Sequence, residues 1–443
     1  MWQRLVLAIP IVLLPNSLHV PFDTGLPALN LANLLLIAVA LTLAMSPRRA
    51  DLPPAGTGLL TAPLLLLYLS LLVGLGIALA TRPGVLVADL TDLKDFMFYP
   101  LLYFVYRRCR QDLAGTRQLI ALTMLVAVLA GLESIWEGLA QDSFSSFEDN
   151  KRIAGPFGGS RLSNRAGVFF AIFLPLLVAW TLFLRGHRIK RLLAIAAIGV
   201  LVVAIMLTFS RQSYLIAVVT TLLLLLRRHL LLAGLLALAT VPALSMLPEG
   251  VTQRVVETQQ IDEIGDAQLD VSTVSRFEIW EGAMRMWADH PAGVGLGRFP
   301  GYIGSYSDHE GRDAHNMYVL LLAECGPLGF LAMVWLLWRL LRLSLTVRRS
   351  SPQDDSESQA LAVGFALSAV AMGMGNLYGT AFNEGLVMAN FWILCGLVEH
   401  YAALKRHGLT TPVTAQVDSG QTLLQRFPLA AHIAPGRYRP QTK

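Results

Sequence analysis

The sequence predicts an all-α polytopic membrane protein with about twelve transmembrane helices and one large helical loop outside the membrane. Of the 443 residues, 54% are hydrophobic and only 15% are charged, whereas soluble domains carry roughly 25% charged residues. Stretches such as 59–80 and 192–207 are almost free of charge, and a membrane-crossing helix needs about 20 mostly apolar residues. Residues 248–315 interrupt this apolar pattern with a long polar segment.

The predicted spans follow apolar stretches of helical length. Pro10 and Pro15 interrupt the first span, and the fourth is short and begins with polar residues. The first span lacks a small-residue cleavage site and leads into more membrane sequence, so we expect no cleavable signal peptide. The twelve spans cover residues 2–19, 26–45, 59–80, 90–106, 117–139, 165–184, 191–208, 213–226, 229–247, 316–341, 359–378 and 384–403.

The orientation follows from arginine and lysine, which are concentrated in the even-numbered loops. Examples are Arg48-Arg49, Arg227-Arg228 and Arg348-Arg349. Because cytoplasmic loops carry the excess of positive charge, both ends of the chain are predicted to be inside. The resulting divisions are spans one to nine in 1–247, an outer loop in 248–315, spans ten to twelve in 316–405 and a cytoplasmic tail in 406–443.

The large outer loop has an internal pattern of its own. Its first part, 249–270, is acidic and contains no lysine. Between Arg276 and His290, four apolar residues recur at helical spacing and predict a helix. Gly293–Gly297 is interpreted as a flexible turn, and the loop ends where the tenth span begins. The four apolar residues are Phe277, Trp280, Met284 and Trp287.

Ionisable residues within or beside the spans collect at the outer face. Each one alone can be explained as an interfacial side chain that reaches water. As a group they predict a polar cavity open to the outside, since charged groups in membrane segments face a cavity or a partner. The set is Asp92, Lys94, Asp95, Glu133, Glu137, Arg161, Arg165, Arg211, His315, Glu324 and Glu384.

Arginines and one histidine of this set indicate a chemistry. The planar guanidinium matches phosphate oxygens, and the phosphate expected at this face belongs to a lipid, such as a polyprenyl diphosphate that carries a sugar. A histidine can act as the base for an acceptor hydroxyl. His315 lies where the loop meets the membrane, and nearby arginines would keep it neutral. An equal alternative is that His315 is a helix-terminal residue held by a local hydrogen bond.

Several other features are not assigned to chemistry. His290 precedes a proline and is interpreted as structural, and His309 as an exposed loop residue. Asp308-His309-Glu310 could hold a divalent metal, but the spacing is unspecific, so no metal and no cofactor are predicted. The net charge of +5 lies mostly in short loops, so no nucleic-acid partner is predicted. Cys109, Cys325 and Cys395 form no metal-binding spacing and are interpreted as packing residues.

Residues 276–329 carry a resemblance to a known family. The block His315-Asn316-Met317-Tyr318, followed by Gly326 and Gly329, is similar to the H-N-x-Y and G-x-x-G core of the O-antigen ligase and O-antigen polymerase superfamily. Ser210-Arg211-Gln212 resembles the S-R turn of that superfamily. Twelve spans with one long late loop resemble its architecture as well.

The resemblance implies roles for residues and a location. It implies an inverting, metal-independent glycosyltransferase of the bacterial inner membrane with a periplasmic active site. His315 would activate the acceptor hydroxyl. The donor would be O-antigen on undecaprenyl diphosphate and the acceptor lipid A-core, among membrane lipids. The diphosphate would contact Arg161, Arg165, Arg211 and Arg276, with possible support from Asn316, Tyr318, Arg298 and Arg312.

Within the superfamily the sequence favours a ligase. Polymerases often carry two large outer loops with an R-x10-G pattern, whereas this chain has one such loop and a single spacing of that kind, Arg254 to Gly265. Protein O-oligosaccharyltransferases often carry an extra outer domain, which we do not detect. A transporter is a further alternative, but transporters usually show repeated halves and a site at the bilayer midplane.

Overall fold

The structure is a computed structural model, and it describes residues 2–20, 22, 30–45, 52–53, 56–82, 84, 86–144, 151–183, 188–246, 259–261, 267–269 and 271–410. It confirms the all-α prediction. The helices are α1 Trp2–Leu13, α2 Leu31–Met45, α3 Thr61–Thr81, α4 Leu86–Phe98, α5 Leu101–Tyr106, α6 Leu113–Ala140, α7 Ser163–Phe183, α8 Arg188–Leu207, α9 Arg211–Arg228, α10 Leu230–Met246, α11 Val271–Asp289, α12 Phe299–Ile303, α13 Met317–Arg349, α14 Ser356–Gly375 and α15 Gly385–Thr410.

Among the residues that the structure describes, strands occur as one small antiparallel pair in the outer loop. Strands β1 (Gln259–Ile261) and β2 (Ala267–Leu269) pair antiparallel. Most of the acidic stretch 249–270 and the tail after Thr410 lie outside the described residues, as does the spacing from Arg254 to Gly265. The division of the chain into four parts therefore stays a prediction.

Seven helices among the described residues are long and apolar enough to cross a membrane. They are α3, α6, α7 with its preceding turn, α8, α13, α14 and α15, and they match seven of the predicted spans. The other five predicted spans contain helices that are shorter or more polar, namely α1, α2, α4 with α5, α9 and α10. A multi-pass membrane protein is thus confirmed, whereas the count of twelve spans stays a prediction.

Two predicted spans are irregular, and proline explains both. Helix α1 ends at Leu13, shortly before Pro15. The predicted span 90–106 is divided into α4 and α5 at Tyr99-Pro100. Proline lacks a backbone N–H and disfavours the helical conformation of the residue before it, so a continuous helix cannot pass through residue 100 without a kink.

Helix α7 forms the centre of the bundle. It packs against α6, α8, α9 and α14, and 89% of its span is buried. Small residues allow the close approach: a Cβ atom at Gly364 of α14 would lie 2.9 Å from the Cα of Leu176. In membranes such small-residue contacts let helices meet backbone to backbone.

The two ends of the bundle carry different ion pairs. One end joins Arg107 to Glu399 at 2.7 Å and Lys405 to Asp355 at 2.6 Å, and these residues lie in or close to segments predicted to be cytoplasmic. The opposite end holds Arg165 and His315 at the start of α7 and α13. The fold therefore separates the predicted inner and outer loops, whereas their orientation in the membrane stays a prediction.

The outer loop contains the predicted helix as α11, but the interpretation of Gly293–Gly297 as a flexible turn is wrong. This threaded segment lies between α3 and α13, with Val294 and Leu296 buried. The Val294 N–H donates to the carbonyl of Ala323 at 2.8 Å, and the Leu296 N–H donates to that of Gly74 at 3.0 Å. Gly295 allows the segment to pack directly on the backbone of α3, because a Cβ atom at this position (φ +103°) would lie 2.6 Å from the Cα of Ala78.

Helix α13 is broken next to the threaded segment, Gly293–Gly297. Gly326 has φ +65° within the helix, directly before Pro327. This break frees the carbonyl of Glu324 to accept from the Gly295 N–H at 3.0 Å. The Glu324 carboxylate, which is buried, accepts from the backbone N–H of Phe299 at 3.0 Å. The three cysteines are free and buried, in agreement with their interpretation as packing residues.

Candidate active site

His315 occupies a strained turn directly before α13. Its φ is +48°, a left-handed conformation that is uncommon for a residue other than glycine. The turn is held on one side by α11, because the indole N–H of Trp280 donates to the carbonyl of Ala314 at 2.8 Å. The His315 side chain remains 45% exposed, so the turn presents the imidazole to the outer end of the bundle.

Asn316 and Tyr318 hold the other side of the turn. The Asn316 side chain caps α13 by accepting from the N–H groups of Tyr318 at 2.9 Å and Val319 at 3.2 Å. The Tyr318 hydroxyl donates to the carbonyl of Gly373 in α14 at 2.7 Å. Asn316 therefore caps α13, and His315 is the residue directly before that cap. Its position at the helix end is compatible with a structural role as well as with that of a base, so the role of His315 stays a prediction. Asn316 and Tyr318 thus fix the position of the turn that carries His315.

The charges around His315 favour its neutral form. Partial burial lowers the pKa of His315 below its ordinary value of 6.5, and Asp313 opposes this with its negative charge. The positive charges of Arg276, Arg312 and Arg165 lower the pKa further. A neutral imidazole can accept a proton, so this environment suits a base near neutral pH.

Asp313 is a neighbour of His315 that the sequence analysis did not single out. Its Oδ2 atom lies 3.9 Å from Nδ1 of His315 and accepts from the hydroxyl of Thr380 at 3.4 Å. A carboxylate at this place favours the protonated form of the imidazole once a proton has been taken up. The short distance in sequence was the available signal, since aspartate and histidine two residues apart flank the same turn.

Arg276 lies on the face of α11 that faces the site. Its guanidinium carbon is 5.7 Å from the ring centre of Tyr378, which in turn lies 5.4 Å from that of Trp280. Phe277 packs edge-on against Trp280. The predicted aromatic spacing of this helix therefore builds a wall between α11 and the α14–α15 connection, and Arg276 is part of that wall.

Arg165 enters the site from the first turn of α7. Its Nη2 atom lies 2.7 Å from Oε1 of Glu384 at the start of α15, and the two side chains are 39% and 27% exposed. The positive charge of the same guanidinium lowers the pKa of His315. Arg161 lies one turn earlier, in the short helix Ser160–Leu162; it is exposed and forms no ion pair with a described residue.

Arg211 begins α9 in the predicted tight turn. Ser210 caps the helix by accepting from the Ser213 N–H. Gln212 donates to the carbonyls of Met374 at 3.0 Å and Gly375 at 2.8 Å. The end of α14 thus contacts both the Arg211 turn and, through Gly373, the His315 turn, which brings two separate sequence motifs to one helix end.

Arg152 is a second residue that the sequence analysis missed. It donates to the carbonyl of Thr208 at 3.2 Å and to the Asn164 side chain at 2.6 Å. It therefore ties the segment before α7 to the end of α8, beside the Arg211 turn. A single arginine in a polar connector gave no signal that would separate it from its neighbours.

The predicted supporting arginines have different positions. Arg312 is exposed, and its positive charge lowers the pKa of His315. Arg298 forms a buried ion pair with Asp89 of α4, at 2.6 Å, with side chains that are 10% and 3% exposed. Its guanidinium is thus committed to the fold rather than presented to a substrate.

The other two histidines of the outer loop, His309 and His290, each contact a neighbouring side chain. His309 is not a freely exposed loop residue: its Nε2 atom lies 2.6 Å from Oε2 of Glu278 in α11, and its side chain is only 22% exposed. His290 stacks edge-on against Tyr302. Within the described ranges, no three histidine, cysteine, aspartate or glutamate side chains are grouped to hold a metal ion.

Comparison with known families gives a match to part of the chain. The family model described as O-antigen ligase matches residues 196–334, about a third of the chain. The matched region runs from α8 to the first half of α13 and includes Arg211, Arg276 and His315. None of the curated proteins matches the chain.

Proposed function

We propose that this chain, whose residues 196–334 match the family model described as O-antigen ligase, is the ligase itself. It transfers O-antigen polysaccharide from undecaprenyl diphosphate to a sugar hydroxyl of lipid A-core and so completes lipopolysaccharide. The protein lies in the bacterial inner membrane with both termini in the cytoplasm, and its active site faces the periplasm.

The observation that carries the proposal is the environment of His315. The imidazole is half-exposed on a turn held by Trp280 and Asn316. Its pKa is lowered by partial burial and by neighbouring arginines. A base kept neutral beside cationic groups suits a reaction in which a hydroxyl loses a proton while an anionic group departs.

The proposed reaction is a single displacement at the anomeric carbon. His315 takes the proton of the acceptor hydroxyl, and the acceptor oxygen forms the new bond as the bond to the diphosphate breaks on the opposite face. The anomeric configuration inverts. The departing diphosphate carries the electron pair, and its charge is neutralised by Arg161, Arg165, Arg211 and Arg276. Asp313 stabilises the imidazolium that results.

Arg165 has a specific part in this proposal. Its ion pair with Glu384 is partly exposed, so a diphosphate oxygen can replace the carboxylate as its partner. The exchange would couple donor binding to a rearrangement of Glu384. The fork geometry of the guanidinium suits both partners equally well.

Polymerase activity is the second candidate, because the superfamily includes enzymes that join two lipid-linked units. The presence of one large outer loop rather than two favours the ligase. A protein O-oligosaccharyltransferase is a third candidate within the superfamily. A transporter is less well supported, since the site chemistry is collected at one end of the bundle instead of at its middle.

A lipopolysaccharide gel tests the proposal. Cells that make lipid-linked O-antigen but lack a ligase, with a core that matches this enzyme's source, would express the wild type, His315→Ala or His309→Ala. His309→Ala is the matched control, because that histidine pairs with Glu278 on the loop surface. We expect a glycan ladder on lipid A-core with the wild type and the control and none with His315→Ala.

The other outcomes are equally informative. Longer lipid-linked chains without a ladder would identify a polymerase and overturn the acceptor assignment. A full ladder with His315→Ala, at equal protein level, would remove His315 as the base.

A further inference from the structure

A patch of two tryptophans and two arginines lies on α13, far from His315. The guanidinium carbon of Arg342 is 4.5 Å from the ring centre of Trp338, and that of Arg339 is 5.7 Å from the same ring and 5.8 Å from that of Trp335. We refer to Trp335, Trp338, Arg339 and Arg342 as the Trp–Arg patch. Their spacing places them on one face of the helix.

The patch lies at the end of the bundle opposite the active site. Arg339 is roughly 20 Å along the helix axis beyond the break at Gly326. The helix ends at Arg349, where the next residue, Ser350, accepts from Arg406 of α15 at 3.4 Å. This is the end that carries the Arg107–Glu399 and Lys405–Asp355 ion pairs.

The two arginines have no anionic partner within the described part of the chain. Neither forms an ion pair with a described carboxylate, whereas Arg107, Arg117 and Lys405 at the same end each have one. The Nε atom of Arg339 is buried and has no hydrogen-bond acceptor. Two guanidinium groups beside one indole ring repel each other in the absence of an anion, and a buried donor without a partner is costly.

The surface beside the patch is apolar and faces outward. Leu331, Val334, Leu341 and Leu345 on α13 are exposed, as is the Trp338 side chain itself. In a membrane protein such a face contacts acyl chains, and tryptophan marks the level of the headgroups. An anion that approaches the arginines from this side therefore comes from within the bilayer.

We propose that the Trp–Arg patch is a binding site for the phosphate of an anionic phospholipid, with Arg339 and Arg342 held on Trp338 as a preformed fork. The indole faces restrict the guanidinium groups by cation–π contact, and the exposed leucines accommodate the acyl chains. The patch anchors this end of α13 to the lipid leaflet around it. It is separate from the glycosyl-transfer site and does not depend on the function proposed for that site.

The first test uses the wild-type chain alone. The purified full-length protein is incubated with equal amounts of phosphatidylglycerol and phosphatidylcholine that have the same acyl chains, and bound lipid is counted by native mass spectrometry. Because each arginine near a headgroup contributes to anionic lipid binding, we expect phosphatidylglycerol to exceed phosphatidylcholine by roughly an order of magnitude. Equal occupancy of the two lipids overturns the proposal without any variant.

The second test locates the site. The double variant Arg339→Gln/Arg342→Gln removes the fork, and Arg188→Gln/Arg191→Gln on α8 is its matched control. The control removes the same charge from exposed arginines at the same spacing, with no described aromatic stack. We expect the preference for phosphatidylglycerol to fall by roughly an order of magnitude in the first variant and by much less in the second, whose arginines lie outside the Trp–Arg patch.

Two results would contradict this assignment. An equal loss in both variants would mean that only net charge attracts the lipid. A change in the oligomeric state of Arg339→Gln/Arg342→Gln with unchanged lipid occupancy would assign the patch to contact with a second copy of the chain.

Discussion

Arg298 grips both carboxylate oxygens of Asp89, with hydrogen bonds of 2.6 and 2.7 Å from its two terminal nitrogens. Its third nitrogen, Nε, donates to the carbonyl of Arg82 at 2.9 Å. The pair is nearly excluded from solvent. It therefore fastens the outer loop, directly after the threaded segment, to the connection between α3 and α4.

Replacement of Arg298 by lysine should destabilise the protein, although the charge is kept. Lysine cannot occupy both carboxylate oxygens and the Arg82 carbonyl at once, and an incompletely satisfied buried charge is strongly unfavourable. We expect a melting temperature in detergent that is several degrees lower. Arg285→Lys is the control, since its pair with Glu281 is exposed and 4.0 Å long. Equal melting temperatures of the two variants would show that the Arg298–Asp89 ion pair does not stabilise the fold.

The pH dependence of transfer should move in opposite directions in two variants. In the proposed reaction the neutral form of His315 is the base, and its pKa is lowered below 6.5, so we expect the acid limb of kcat/KM below that pH. Arg276→Gln removes a positive charge, raises the pKa of His315 and moves the limb to higher pH. Asp313→Asn removes the opposing negative charge and moves it to lower pH. The measurement is kcat/KM against pH with purified enzyme.

Arg285→Gln provides the control for that profile. It removes a positive charge from the same helix as Arg276, but among exposed residues away from His315. Its acid limb should coincide with that of the wild type. Limbs that shift in the same direction for Arg276→Gln and Asp313→Asn would contradict the assignment of the titrating group to His315.

Loss of the Asn316 cap should affect activity through position rather than chemistry. Asn316→Ala leaves the first N–H groups of α13 unpaired, which costs about 1 kcal/mol of stability, and it releases the turn that carries His315. We expect a lower kcat with an unchanged acid limb. Serine is also a good capping residue, so Asn316→Ser should recover most of the activity. No recovery with serine would mean that the amide itself contacts substrate.

Substitution of the threaded segment should be far more damaging than an ordinary glycine replacement. Gly295→Ala places a Cβ atom against the backbone of Ala78 at a positive φ, a combination that costs on the order of 1–3 kcal/mol. Gly76→Ala is the matched control on the neighbouring helix, because nothing lies within 4 Å of its Cβ position. Thermal unfolding should separate the two, and similar melting temperatures would contradict the threading of this segment.

Arg211 should require its geometry as well as its charge. We expect Arg211→Ala to weaken use of the lipid-linked donor and Arg211→Lys to restore it poorly, because a lysine cannot make the two parallel bonds that a phosphate accepts from a guanidinium. The measurement is the donor KM and kcat of each variant. Equal activity of the lysine variant and the wild type would mean that only charge matters at this position.

Local patterns predicted the helices well and long-range contacts poorly. The aromatic spacing of 276–290 gave α11 because apolar residues at helical intervals share one face. The positions of His315, Arg276 and Arg165 relative to the predicted spans indicated that all three lie on the outer side. In the structure the two arginines are close enough to His315 to lower its pKa. The signal in these cases lay within one element or in the positions of the element ends.

The failures share a cause in distance along the chain. Gly293–Gly297 looks flexible by composition, but its conformation is fixed by Gly74, Ala78 and the break in α13, which no local pattern encodes. Arg298 was predicted to support substrate binding because nothing near it in sequence indicates a partner. Its partner in the structure is Asp89, more than two hundred residues earlier. Glycine permits both a free loop and a tight contact, so the residue alone cannot distinguish them.

Helices α7 and α8 are equally apolar, yet 89% of one span is buried and only 17% of the other. The consequence concerns how freely each can vary. On α8 most side chains face away from the bundle, and any apolar residue of similar size serves. On α7 nearly every side chain is shaped by a neighbouring helix, so exchange of one aliphatic residue for another changes the packing of the bundle. Two stretches that a hydropathy plot cannot tell apart thus tolerate mutation very differently.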